Sequence, residues 1–230
     1  SGGLQRNIVQ CLQDFDIPLY LSHTITDIRG KARVEQVVVS QVDDQRRPIP
    51  GTEMTFDCDT VLLSVGLIPE NELTRDAGIA MDPRTNGALV YENRETSVPG
   101  IFACGNALHV HDLVDFVTAE SMAAGAAAAD YVQAGELGRE RTVQVTTNAH
   151  IGYTVPQRFR ADSDGVEFYF RVRRVFKESR IQVTCGDQVI ASFKREHMAP
   201  GEMETVKIPK ALLARIDGDT LHIAAEEVQA

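Results

Sequence analysis

Apolar residues recur at helical spacing at the start of the chain, at Leu4, Ile8, Cys11, Leu12 and Phe15. The pattern predicts a helix that Asp16-Ile17-Pro18 closes, because proline disfavours a helical residue before it. Strand-like runs follow: Leu19-Tyr20-Leu21, then Val34 to Val42 around Val37-Val38-Val39, a polar turn at Asp43 to Pro48, and an alternating run from Met54 to Asp59. Thr60 to Gly66 is continuously apolar apart from Ser64 and predicts a strand buried on both faces. After it come a loop and short helix over Ile68 to Leu73, then Ala77-Gly78-Ile79. Residues 81–100 are polar, with turns expected at Asp82-Pro83 and Asn86-Gly87. Ile101 to Asn106 predicts a short buried strand ending in glycine.

The strongest helical signal runs from about Val117 to Val132, with six alanines between Ala119 and Ala128 and only Gly125 a poor helix former. The run Gly135 to Arg141 reads as a domain boundary. From Thr142 the pattern is all strand. Val143 to Thr146, Val166 to Val175, Ile181 to Val183, Val189 to Ala191 and Leu221 to Ile223 alternate or are β-branched, with turns at Asp164-Gly165, Gly186-Asp187 and Asp217-Gly218. Short strands at regular turn spacing predict a small β-sandwich.

The 230 residues carry a net charge of -10 with 24% charged residues, which argues against nucleic acid or an anionic membrane as the main partner. No apolar run reaches the roughly 20 residues that span a bilayer. The start of the chain lacks the charged and apolar regions of a secretory signal. The four cysteines, Cys11, Cys58, Cys104 and Cys185, stand far apart without metal-ligand spacing, so the expectation is a reducing cytoplasm and no internal disulfide.

The informative segment is Glu95-Thr96-Ser97-Val98-Pro99-Gly100-Ile101-Phe102-Ala103-Cys104-Gly105-Asn106. A buried strand ending in glycine and a short polar side chain can approach a ligand's sugar chain, and a helix N-terminus nearby offers unpaired N–H groups. These residues resemble the second FAD fingerprint of the pyridine nucleotide-disulfide oxidoreductase superfamily, in which a threonine precedes an apolar strand closing in Gly-Asp. Asn106 stands where the family has its acid. The resemblance implies that Gly105 and Asn106 contact the ribityl chain of FAD, an amide still serving a hydroxyl. It also implies a helix N-terminus aimed at the flavin N1–C2=O edge, which by position falls on Val117 and Thr118. Asp59 to Glu70 is similar to the strand that returns from the NAD(P) domain to the FAD domain.

Neither G-x-G-x-x-G turn of the family is present. The resemblance therefore implies a missing N-terminal segment or a second polypeptide that completes the FAD site, truncation being favoured. The fragment alone is expected to bind FAD weakly or not at all. Gly105 to Asp115, with the appended β-domain, is similar to the flavin- and NAD(P)-dependent oxidoreductases encoded beside anaerobic glycerol-3-phosphate dehydrogenases. The fold class expected is α/β: partial FAD/NAD(P)-binding Rossmann-like domains followed by a small all-β C-terminal domain. Its divisions are residues 1–55 as the end of the NAD(P) domain, 56–135 as half of the FAD domain, and 141–230 as the β-sandwich.

Plainer readings stand beside these. His109 and His111 project to one face of an extended segment and are weak catalytic candidates, as a hydrogen-bonding or proton-relay pair near the flavin, or are ordinary loop packing. With Asp112 they could suggest a metal, but no third ligand of suitable spacing is visible and none is expected. Asn106 could cap its loop, and Thr118 could be a plain first-turn residue. Arg171, Arg173, Arg174, Lys177 and Arg180 read as a solvated face or an acidic-partner contact. The function expected is hydride transfer between NAD(P)H and FAD, with electrons passed to a partner protein or small substrate. The alternative is a non-catalytic interaction subunit; a homo-oligomer is left open.

Overall fold

The computed structural model describes residues 5–136, 138 and 141–228; Leu4, the first apolar position of the opening helix, lies outside them. The chain divides into two compact units, 3–66 and 67–230.

In the first unit, α1 (Gln5–Cys11) passes into a 3₁₀ turn at Gln13–Phe15 before the proline, as the spacing predicts. Leu19-Tyr20-Leu21 forms no strand. The strand there is β1 (His23–Arg29), which alternation undersells because polar residues occupy most of it. It pairs antiparallel with β2 (Gln36–Gln41), and β2 with β3 (Met54–Asp57), giving the order β1-β2-β3. The central strand buries Val37, Val38 and Ser40, and the Ser40 hydroxyl meets the Thr26 hydroxyl at 3.0 Å. Thr60 to Gly66 is not a strand: Leu62 is 90% exposed and Val65 89%. A central strand exists only through its neighbours' hydrogen bonds, and among the described residues no strand pairs with this run.

The second unit opens with α2 (Glu72–Asp76) and then runs as turns through residue 113. The expected strand at Ile101–Asn106 reduces to one bridge, Phe102 with Glu95, followed by a 3₁₀ turn at Gly105–Ala107. The alanine-rich helix α3 spans Val114–Ala134 and starts three residues earlier than predicted; its buried positions are Glu120 and Ala124, one turn apart. Four strands follow: β4 (Thr142–Thr147), β5 (Ile151–Val155), β6 (Arg158–Arg160) and β7 (Gly165–Val172). They are joined by β8 (Ser179–Cys185), β9 (Gln188–Arg195), β10 (Glu204–Pro209), the single turn α4 (Lys210–Leu213) and β11 (Thr220–Glu227).

These strands form two sheets, β10-β7-β5 and β6-β4-β11-β8-β9. All pairings are antiparallel except β11 with β4. One hydrophobic cluster draws on both sheets, including Phe168 and Phe170 from β7, Phe159 from β6, Ile181 from β8 and Leu221 from β11. Each fully buried phenylalanine contributes about 1.5–3 kcal/mol.

A second cluster of Ile79, Ala88, Val90 and Leu108 closes on Val155 of β5, so the 79–108 turns rest on the sheet strands. Gly87 permits this closeness, since a Cβ there would lie 1.8 Å from the Leu108 carbonyl oxygen. Of the run 135–141, Leu137, Arg139 and Glu140 lie outside the described residues; across it in sequence, Arg160 bonds Glu92 and Glu95. Among the described residues no helix is long and apolar enough to cross a membrane.

Candidate functional site

Gly105 opens the 3₁₀ turn at φ +68°, and a Cβ there would touch Val117 Cγ1 at 3.4 Å. A left-handed residue against a helix favours glycine. Its carbonyl accepts from the amides of Leu108 (2.8 Å) and His109 (3.1 Å). Asn71, buried at the start of α2, donates through Nδ2 to Ala107 O (2.7 Å) and Asn86 O (2.9 Å), holding the turn from below.

Asn106 is exposed at the tip of this turn, and its Oδ1 accepts from the His111 amide at 3.1 Å. It therefore does cap its loop, while its NH₂ has no acceptor among the described residues. Val117 is half-buried against Gly105. Thr118 is exposed, and its hydroxyl donates to Val114 O at 2.9 Å. Because α3 starts at Val114, the Val117 amide already points to Leu113 O at 3.5 Å. The Phe116 amide is likewise turned to Leu113 O, at 3.2 Å, so the open N–H groups of the first turn are those of Val114 and the acidic Asp115.

The sequence candidates His109 and His111 come together with a residue the sequence reading missed. Glu120 points inward from α3, and its two oxygens receive four N–H groups. Arg94 Nε (2.9 Å) and His109 Nε2 (3.2 Å) meet Oε1; the Gly105 amide (2.8 Å) and His111 Nε2 (2.9 Å) meet Oε2. All four groups are buried. This network assigns the imidazole protons to Nε2. It leaves both Nδ1 atoms buried without a partner among the described residues.

The imidazole centroids lie 4.2 Å apart, with Tyr169 of β7 5.8 Å from each. The Arg94 guanidinium sits 5.6 Å from the same ring, and Arg94 itself takes φ +69°, a conformation costing a non-glycine residue about 1–2 kcal/mol. Its ion pair with Glu120 sets against that strain.

Burial alone would raise the Glu120 pKa, but the hydrogen bonds from His109 and His111, with the charge of Arg94, outweigh it and hold the carboxylate well below its ordinary range. Burial lowers His109 despite Glu120, so the imidazole is neutral near neutrality. Tyr169 is pushed up to about 12 by burial and by Glu167.

The loop is also held from the sheet side. Asp112 accepts from Arg171 Nη2 and from the Met203 amide, and Arg171 donates to Val110 O at 3.0 Å. Arg171 is thus an internal clamp, whereas Arg174 and Arg180 form exposed pairs with Glu227 and Glu226.

One ring nitrogen each of His109 and His111 and a Glu120 oxygen lie within 4.8 Å of one another, so Glu120 is the third ligand type the spacing did not reveal. A divalent cation there would displace the N–H groups now filling the carboxylate and would face the Arg94 guanidinium. Glu120 carried one sequence signal: it is the only charged side chain between Asp115 and Asp130. Arg94 and Asn71 carried none.

The family model "Pyridine nucleotide-disulphide oxidoreductase" matches residues 4–150. An NADH oxidase of Streptococcus pneumoniae is 33% identical over 101 residues, 44% of this chain and 19% of that protein. A dihydrolipoyl dehydrogenase of Manduca sexta is 44% identical over 62 residues, 26% of this chain and 12% of that protein. The ferredoxin reductase component of a chlorobenzene dioxygenase from Cupriavidus is 30% identical over 96 residues, 42% of this chain and 20% of that protein. The matched stretches thus span about a fifth or less of these relatives.

Proposed function

The chain belongs to the pyridine nucleotide-disulphide oxidoreductase family, and from that premise we propose that it forms one side of the flavin site of an oxidoreductase that passes a hydride between NAD(P)H and FAD. One observation carries the reading. The Gly105–Asn106 turn presents a side-chain amide at its tip, next to the first turn of α3, and the Gly105 amide, the Gly105 carbonyl and the Ala107 carbonyl behind it are all hydrogen-bonded. The fit to a flavin is chemical: Asn106 keeps an NH₂ for a ribityl hydroxyl, Gly105 keeps backbone close, and the first amides of α3 offer N–H groups to a carbonyl edge. Bound FAD would supply the two-electron acceptor.

Val117 serves by packing on Gly105, and Thr118 by closing the first turn. His109 and His111 stand behind the turn as its support. No metal enters the reading, because the charge of Glu120 is already matched by Arg94. Residues 1–55 and 56–135 would be the closing parts of the NAD(P) and FAD domains, and 141–230 a β-sandwich, for which the two sheets on one cluster are the support. Residues outside this chain, on the same or another polypeptide, would bind both pyrophosphates. Electrons would pass on to a partner protein or small substrate. Four free cysteines support a reducing compartment such as the cytoplasm.

The test is the absorbance spectrum of the protein carrying the rest of the flavin site, purified without added cofactor and titrated anaerobically with NADH. A flavin spectrum that bleaches, and is weakened by Asn106→Ala, supports the reading. A colourless protein that refuses added FAD overturns it in favour of an interaction module.

A further inference from the structure

We propose that Glu120 is a positioning residue that sets the conformation of the 105–111 loop, and that only a carboxylate can serve there. The argument is one of donors and acceptors. Arg94 Nε, the Gly105 amide and the two imidazole Nε2–H groups are all donors. They converge on two oxygens at 2.8–3.2 Å, with no solvent to take a stray bond. A carboxylate offers two lone pairs on each oxygen, four acceptors for four donors.

The isosteric amide cannot match this. With its NH₂ toward Gly105 and His111 it sets N–H against the Gly105 N–H; flipped, it sets N–H against Arg94. Either way a buried donor faces a donor, and one imidazole must move its proton to Nδ1 to accept from the NH₂. The contact to Gly105 matters most, because Gly105 and Asn106 are the turn that the flavin reading uses. The inference rests on that reading for its purpose, but not for its geometry.

The neighbours fit the same role. The side chain of Arg94 reaches Glu120 from a left-handed backbone, and both imidazoles lean on Tyr169, so the loop is built around the carboxylate rather than merely touching it.

The experiment is nitrogen-15 NMR of this chain and its Glu120→Gln variant, reading imidazole tautomers and amide hydrogen exchange. In the wild type both rings carry the proton on Nε2 and the Gly105 amide is protected. In Glu120→Gln one ring changes tautomer, and Gly105 exchanges at least about tenfold faster, a factor of ten corresponding to about 1.4 kcal/mol. Wild-type rings protonated on Nδ1, or Gly105 exchange equal in the two proteins, would overturn the proposal, and the wild-type spectrum decides even where the variant does not fold. In the protein carrying the whole flavin site, Glu120→Gln should weaken FAD binding on the order of tenfold. If that protein binds no FAD with Glu120 intact, the flavin reading fails and the tautomer arm still judges Glu120. If it binds FAD and Glu120→Gln leaves the affinity unchanged, the positioning role fails alone.

Discussion

Removing the Arg160 guanidinium should cost the C-terminal unit more than any surface ion pair does. The side chain is 5% exposed, and Glu92, Asn93 and Glu95 among its partners lie 65 or more residues back in sequence. Nη1 donates to Glu92 Oε1 (3.0 Å) and Asn93 Oδ1 (3.2 Å), Nη2 to Glu95 Oε2, and Nε to Gly138 O (3.1 Å). Its guanidinium also lies 4.4 Å from the Tyr91 ring centroid. Arg160→Ala removes the guanidinium that pairs with the Glu92 and Glu95 side chains, which are 10% and 1% exposed. Breaking a buried pair by removing one partner costs about 3–5 kcal/mol. For a unit of this size that lowers the melting temperature by roughly 6–20 °C. Arg174→Ala is the control, since its pair with Glu227 is about half exposed and contributes about 0–1 kcal/mol. Thermal and urea unfolding followed by circular dichroism and tyrosine fluorescence measures both; the chain has no tryptophan to obscure Tyr91. A loss below about 1 kcal/mol for Arg160→Ala, or a loss equal to that of Arg174→Ala, refutes the reasoning.

Gly87→Ala should be severely destabilising, because its Cβ would meet backbone atoms of Leu108 at 1.8–2.8 Å and neither turn can retreat from the Ile79–Val155 cluster; an unchanged urea midpoint would contradict this. Stability should also fall on acidification. Burial holds His109 below its ordinary 6.5, so the unfolded chain takes up that proton first, and stability is full above that pH and is lost as pH falls toward the folded value. Glu120, also held low when folded, adds a loss of the same sign below its ordinary 4.5. Urea midpoints measured across that range check the sign, and a midpoint that rises with acid is the contrary result.

What was legible in the sequence was what local pattern encodes. The alanines announced α3, and alternation announced β4, β7, β8 and β11. Thr60 to Gly66 reads as a buried strand because its composition is that of one, yet burial depends on what packs against it, and Leu62 and Val65 stand exposed. β1 went unread for the converse reason: Asp27 and Arg29 look like loop, but pairing with β2 makes them strand. In the site, Gly105 and Asn106 were legible through their fingerprint and the histidines through their alternation. Glu120 and Arg94 were not, because a pair 26 residues apart leaves no periodicity, and their meaning comes from convergence on one buried point.

The loop from Gly105 to Leu113 is held from two sides that share no bond. Glu120 grips Gly105, His109 and His111 from the helix, while Arg171 of β7 grips Asp112 and Val110 and the Met203 amide, just before β10, grips Asp112. If the loop merely hung between two anchors, loosening one would leave the other unchanged, and the costs of Glu120→Gln and Asp112→Ala would add within about 0.5 kcal/mol. The structure argues otherwise. Asn106 Oδ1 bonds the His111 amide, so the turn and the segment one residue from Asp112 move as a piece. Tyr169 packs on both imidazoles two residues from Arg171 in β7. Each anchor therefore holds the geometry that the other needs, and the first loss should already spoil part of the second. A double-mutant cycle by urea unfolding should return a coupling of about 0.5–3 kcal/mol. Strict additivity would mean that the β-strands support the loop only as a wall, and the case for them as part of the site would fall.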